Sequence, residues 1–216
     1  MKYNLFSSGF FRFFSRIADL MLLNILFWVC CLPIVTIGTS ISALYSVSLK
    51  LIRKTDSHIT KDFFHAFRQN LKQGIVIHLI LSVATIIIAT DLFVIWSIME
   101  YSDVYKGLFF AMAILALLFF MATTYIYPLL AQFKNSIKGY FRNAAILSIK
   151  HFSYTILFLL LAILPSAAAL LIPGAFGWEI LIFLLFGFSG MVYINSIFIS
   201  PILKMYMEEE SDNQGE

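Results

Sequence analysis

Five long apolar stretches, joined by links of two kinds, set the pattern of this chain. The first, Ile17–Leu49, is broken at its middle by Pro33 and Gly38; Gly74–Met99, Gly107–Ala131, Phe152–Ile172 and Trp178–Leu203 follow. Each is near or above the roughly 20 residues that cross a bilayer as a helix. The links 100–106 and 173–177 are short, whereas 50–73 and 132–151 are longer and polar. The pattern predicts an all-α fold, a polytopic transmembrane helical bundle within one membrane domain, 1–216. A Pro/Gly-broken hydrophobic segment, 17–49, opens it, and an acidic tail, 207–216, is expected to be a solvated, frayed end.

The first polar link carries a helical period of its own. Thr60 is placed to cap a helix over Lys61–Lys72, and Phe63, Phe64, Phe67 and Leu71 fall on one stripe about 100° wide. Lys61, Asp62, His65, Arg68, Gln69 and Lys72 fill the other face. Such a helix can lie at the headgroup boundary of the lipid bilayer or dock on a partner. The bilayer surface is the simpler expectation. Phe63, Phe64, Phe67, Arg68, Asn70 and Lys72 are therefore candidate surface or partner contacts.

Shifting the sequence by 73 residues overlays its second half on its first. Asn70 meets Asn143, His78 meets His151 and Pro128 meets Pro201. These coincidences divide the chain into two tandem units, 58–133 and 134–206, each an amphipathic helix followed by a transmembrane hairpin. Both units point the same way, as in a parallel repeat. In the second unit Phe141 and Ala145 stand where the first has polar residues, so that copy is expected to be more buried.

Composition fixes the class. Hydrophobic residues are 61% of the 216 and charged residues 12%, against about 45–50% and 25% in soluble domains. Cys30 and Cys31 are adjacent, and a disulfide between neighbours would be strained. Lys2, Arg12 and Arg16 precede the first apolar run with no small-residue cleavage site after it, which reads as an uncleaved anchor.

The distribution of charge orients the chain. Link 50–73 holds six basic residues and 132–151 holds four, while the two short links hold only Lys106. The long links and the C-terminus are thus expected in the cytoplasm of a cell-membrane protein. Trp96 and Trp178 lie beside the outer links, as interface anchors. If 17–49 crosses once, eleven basic residues lie inside and four outside; if it enters and returns at Pro33–Gly38, the division is fourteen and one. The arms Ile17–Leu32 and Thr39–Leu49 would then be about 24 and 17 Å long, short for a span and suited to a re-entrant hairpin. One long Pro-kinked helix is the other arrangement.

Little in the pattern carries chemistry. Asp19 has Arg16 one turn away, Asp91 falls near the outer boundary, and His78 and His151 lie near the inner one. Thr123, Thr124, Ser189, Tyr193, Asn195 and Ser196 fit helix-to-helix hydrogen bonds, and Gly187, Ser189 and Gly190 fit a close-packing face. Phosphate loops, zinc spacings and nucleophile motifs are missing from the sequence. No catalytic residue, cofactor, metal or nucleic acid is expected, and an enzyme is not.

Asn24-x-x-x-Trp28, then Leu32-Pro33-Ile34-Val35-Thr36-Ile37-Gly38 and Ala43-Leu44-Tyr45, resemble the YesL family of bacterial membrane proteins. Asp62-Phe63-Phe64-x-x-Phe67-Arg68-Gln69-Asn70-x-Lys72-Gln73 fits the same pattern, although Thr39-Ser40 stands where that pattern has Pro-Ala. The resemblance implies a multi-pass protein of the bacterial cell membrane with no established activity, encoded near carbohydrate-uptake and polysaccharide-degradation systems. Asn24, Trp28, Pro33, Thr36, Gly38 and Tyr45 become the candidate functional motif. Two functions are consistent with it: a non-enzymatic accessory that binds a membrane partner such as a sugar importer, or a small permease or channel with its path between the two units.

Overall fold

The structure, a computed structural model, describes residues 9–53, 58–171 and 175–213, with side-chain surroundings for 13–53, 58–163, 177 and 180–207. All regular elements among them are helical. They are α1 (Gly9–Cys31), α2 (Ile37–Ile52), α3 (Ile59–Ile98), α4 (Asp103–Gln132), α5 (Ile137–Lys150), α6 (Phe152–Leu171), α7 (Ala175–Ile182) and α8 (Phe188–Asn213). A short 3-10 turn, Ile34–Thr36, joins α1 to α2, another, Met99–Tyr101, precedes α4, and a π-helical turn, Phe183–Gly187, joins α7 to α8. The acidic residues Glu208–Glu210, expected to fray, continue as helix. Trp178 and the acidic side chains lie outside the described surroundings.

The broken first run is a hairpin. Pro33 starts the 3-10 turn, and Thr36 Oγ1 lies 2.6 Å from the Cys30 carbonyl and 2.7 Å from that of Pro33. The hydroxyl thereby satisfies a carbonyl orphaned at the end of α1. At the far ends of the two arms, Arg16 Nη1 donates to the Leu51 carbonyl at 2.9 Å. Start and finish of the run thus return to one level. The arms are longer than the pattern suggested, about 34 Å for α1 and 24 Å for α2 at 1.5 Å per residue.

How far the hairpin reaches follows from its register on α3. Lys50 Nζ pairs with Asp62 Oδ1 at 2.9 Å, Asn70 Nδ2 donates to Ser42 Oγ at 3.0 Å, and Gly38 faces Gly74 and His78. Helices α2 and α3 therefore run antiparallel with a constant register. Helix α3 is about 60 Å long, and the turn meets it about 23–29 Å from its start. By length and apolarity alone, Phe13–Cys31 and Ile34–Ile52 qualify as spans, as do Ile59–Tyr101, Asp103–Gln132 and Ile180–Met207. The register on α3 is the stronger guide, and it makes α1–α2 a hairpin that turns back about 30 Å short of the far end of α3.

Two expectations about the tandem units are corrected. The amphipathic segment of the first unit is not a separate helix capped by Thr60; its N-cap is His58, and it continues through Gly74 into the apolar stretch as one 40-residue helix. Nothing between Lys72 and Gly74 breaks the backbone, and Thr39 packs against Gly74. In the second unit the two parts are separate, and α5 meets α6 at 101°. Two buried clusters hold the bundle together. One gathers Leu49, Ile77, Tyr125, Leu130, Tyr140 and Ile199; the other gathers Leu23, Phe27, Leu44, Val47, Phe63 and Val192. As expected, α5 is well buried, through Tyr140, Ala144 and Leu147, though Ala145 itself is exposed.

Candidate functional site

The residues singled out around Pro33 are drawn into internal contacts. Gly38 and Gly74 form a reciprocal close approach. A Cβ on Gly38 would lie 2.6 Å from His78 Cβ and 2.8 Å from the Gly74 carbonyl, and one on Gly74 would lie 2.5 Å from Thr39 Oγ1. Small residues that let helix backbones approach are the usual basis of packing in lipid. The Thr39-Ser40 pair fits this contact: Thr39 Oγ1 donates to the Leu71 carbonyl at 3.4 Å and Ser40 Oγ to that of Thr36 at 3.0 Å.

Asn24 is fully buried and serves the π-helical turn. Its Nδ2 donates to the carbonyls of Leu184 at 2.6 Å and Phe183 at 3.3 Å, and its Oδ1 accepts from the Ser189 N–H at 3.1 Å. A π-turn leaves backbone groups without their usual helical partners, and one carboxamide supplies both a donor and an acceptor to them. Trp28 packs edge-on against Phe188, ring centres 5.5 Å apart. Tyr45 is buried, its hydroxyl accepting from Asn195 Nδ2 at 3.5 Å. Thus Asn24, Trp28 and Tyr45 all bind the hairpin to α8 and its π-turn, whereas Pro33, Thr36 and Gly38 shape the turn and its seat on α3.

The aromatic stripe of α3 divides. Phe63 is fully buried against the α1–α2 hairpin, and Phe67 is half-buried beside it. That corrects the expectation for Phe63 alone, which is covered by the chain's own hairpin rather than open to a membrane surface. Phe64, Arg68 and Lys72 remain exposed, and Asn70 is half-buried on Ser42.

Sequence reasoning missed a polar cavity of about 600 Å³ where α2, α3, the end of α4 and the 133–136 link meet. Ser46, Gln69, Asn70, Gln73, Lys134 and Asn135 line it. Its walls are braced by Gln73 Nε2 donating to the Asn135 carbonyl at 2.9 Å and by Tyr140 Oη donating to that of Phe133 at 2.7 Å. Arg53 Nη1 donates to Oε1 of Gln132, which also lines the cavity, at 2.9 Å. Partial burial lowers the Arg53 pKa from its ordinary value, yet an arginine stays charged. The signal for this site was the concentration of carboxamides at the boundary between apolar stretches, Gln69-Asn70-x-x-Gln73 and Gln132-x-x-Asn135. Among the described residues no group of three or more His, Cys, Asp or Glu is arranged to hold a metal ion.

Helices of this length and apolarity, packed into one bundle, define a polytopic α-helical membrane protein. Residues 20–92 match the family model described as "Protein of unknown function, DUF624". That segment contains the α1–α2 turn, all of α2 and most of α3, and with them every residue singled out above from the Pro33 and Phe63 motifs. No curated protein and no solved structure matches the chain.

Proposed function

We propose that the chain is a YesL-type accessory of the bacterial cell membrane, non-enzymatic, with its basic links in the cytoplasm, that binds a partner through the first half of α3. One observation carries this reading. In the first half of α3, α2 covers one face through Phe63 and Ala66, and Phe64, His65, Arg68 and Lys72 are exposed. Because it is continuous with a membrane helix, this basic and aromatic face is held rigidly at the bilayer boundary, as a docking surface requires. The sugar importer implied by the family resemblance is the partner proposed. Affinity purification from native membranes should recover a stoichiometric membrane partner with the wild-type chain and lose it with Arg68→Glu/Lys72→Glu. Recovery of no partner, with sugar uptake unchanged on deletion, would overturn the proposal.

A permease is the second reading. Asn24 and Thr36 are occupied by backbone groups, and the turn is closed by Gly74, His78 and Tyr127. What favours a path is that Ser48 Oγ, Asn195 Oδ1 and Ser196 Oγ, on α2 and α8, are buried without a partner among the described residues. Solute flux in proteoliposomes that is lost on Asn195→Leu supports it, and absence of flux removes it.

A further inference from the structure

The cavity beneath α4 has a composition that selects its occupant. Its described lining residues include the cation Lys134, with Arg53 held one hydrogen bond away on Gln132, and no carboxylate. The nearby Asp62, two turns before Gln69 on α3, is paired with Lys50 at 2.9 Å. Lys134 is exposed, and both it and Gln69 are free of hydrogen bonds or ion pairs to the described residues, so their donors are available. Asn135, which lines the cavity, accepts the Ser136 N–H on its Oδ1 at 2.7 Å and lies over Gly139, and its Nδ2 donors have no partner among the described residues. A cationic, donor-rich cleft with no carboxylate among its described lining residues suits a phosphate group carrying hydroxyls.

The position of the cleft says what else the ligand carries. Gln69, Gln73, Val76, Ile80, Val83 and Ile87 follow one another at spacings of four and three and so share one stripe of α3. The stripe is polar at the cleft and then apolar for about 16 Å from Val76 to Ile87, and all four of those apolar side chains are exposed. The cleft lies at the level where α4 ends and the polar link begins, which is headgroup depth if α3 and α4 cross the bilayer.

We propose that this cleft is a specific site for an anionic phospholipid, its phosphate on Lys134 and Asn135, its polyol on Gln69 and Gln73, and its acyl chain along Val76–Ile87. The site is independent of whether α3 also docks a protein.

The full-length protein in neutral detergent is titrated with dioleoylphosphatidylglycerol, with dioleoylphosphatidylcholine and with soluble glycerol 3-phosphate, following bound lipid by native mass spectrometry and thermal stability. Phosphatidylglycerol is expected to be retained and stabilising, and phosphatidylcholine far less so. Lys134→Gln should weaken phosphatidylglycerol about fivefold, the effect of one basic residue at a charged lipid surface, and Gln69→Leu should reduce its advantage over phosphatidylcholine. Both side chains are exposed, so neither change threatens the fold. Lys106→Gln, beyond the opposite end of α3, should leave binding unchanged. Equal binding of the two lipids, or equal losses at Lys134 and Lys106, overturns the site. Stabilisation by glycerol 3-phosphate as large as that by the lipid also overturns it, by making the occupant a soluble phosphate ester.

Discussion

Helix α3 and the pair α5–α6 occupy corresponding places under the 73-residue shift, yet one is a single continuous helix and the other turns through 101°. The difference lies in what packs against each. Along α3, Gly74 admits Thr39, and α2 lies against the amphipathic half over three turns, holding it in line with the apolar half. At the matching position the second unit has Leu147, which is buried with Tyr140 and Ala144 in the core cluster at the end of α4. No counterpart of α2 supports α5 among the described residues, so its apolar face folds onto α4 instead. The bend comes at His151, φ −114° and ψ 47°. There Thr155 Oγ1 lies 2.9 Å from the Ser148 carbonyl, 3.1 Å from that of His151 and 3.1 Å from the Tyr125 hydroxyl. A similar pattern thus gives two geometries because a third helix is present in one case only.

The sharpest way to break this contrast is Gly74→Leu, which gives α3 the residue of α5. The new side chain meets Thr39 Cα, only 2.9 Å from the Cβ position, and backbone cannot yield as a flexible side chain would. A loss of about 3 kcal/mol is expected, the upper part of the overpacking range, measured by unfolding in mixed micelles. Asn24→Leu should follow at about 2–3 kcal/mol, because it leaves the Leu184 carbonyl and Ser189 N–H buried and unpaired. A spin-label distance between the α1–α2 turn and α8 should broaden in this variant. Thr155→Val removes the hydroxyl that serves the bend, with about 1–2 kcal/mol lost and a wider α5–α6 angle, read between labels at Ile146 and Leu160. Unchanged stability and distance would mean that packing alone sets the bend. Smallest is Asp62→Asn: its pair with Lys50 is partly exposed, and such pairs contribute about 0–1 kcal/mol.

The elements that were legible in the sequence are those marked by local chemistry. Pro33 and Gly38 announced the turn, and the charge count favoured a return over a crossing. The period of Phe63, Phe64, Phe67 and Leu71 announced an apolar stripe and suggested the bilayer surface or a partner as its cover, but not that α2 would cover Phe63. Continuity of α3 was hidden because a change from polar to apolar residues marks a change of surroundings, not a change of backbone. The bend at His151 has neither proline nor glycine to mark it, since its hydrogen bonds come from Tyr125 and Thr155 after folding. The π-turn was equally silent: Phe183–Gly187 is apolar throughout, and its polar partner, Asn24, lies some 160 residues earlier. The cavity draws on four helices and the 133–136 link, so only its carboxamide clusters could be seen.

That last separation bears on the order in which the molecule is made. Asn24 leaves the ribosome some 160 residues before Leu184 and Ser189. Until they arrive, its carboxamide has no α8 to receive it, and an unpaired amide in an apolar phase is unfavourable by several kcal/mol. The α1–α2 hairpin is therefore completed long after it is synthesised, and its clasp on the π-turn and α8 reports that insertion has reached that helix.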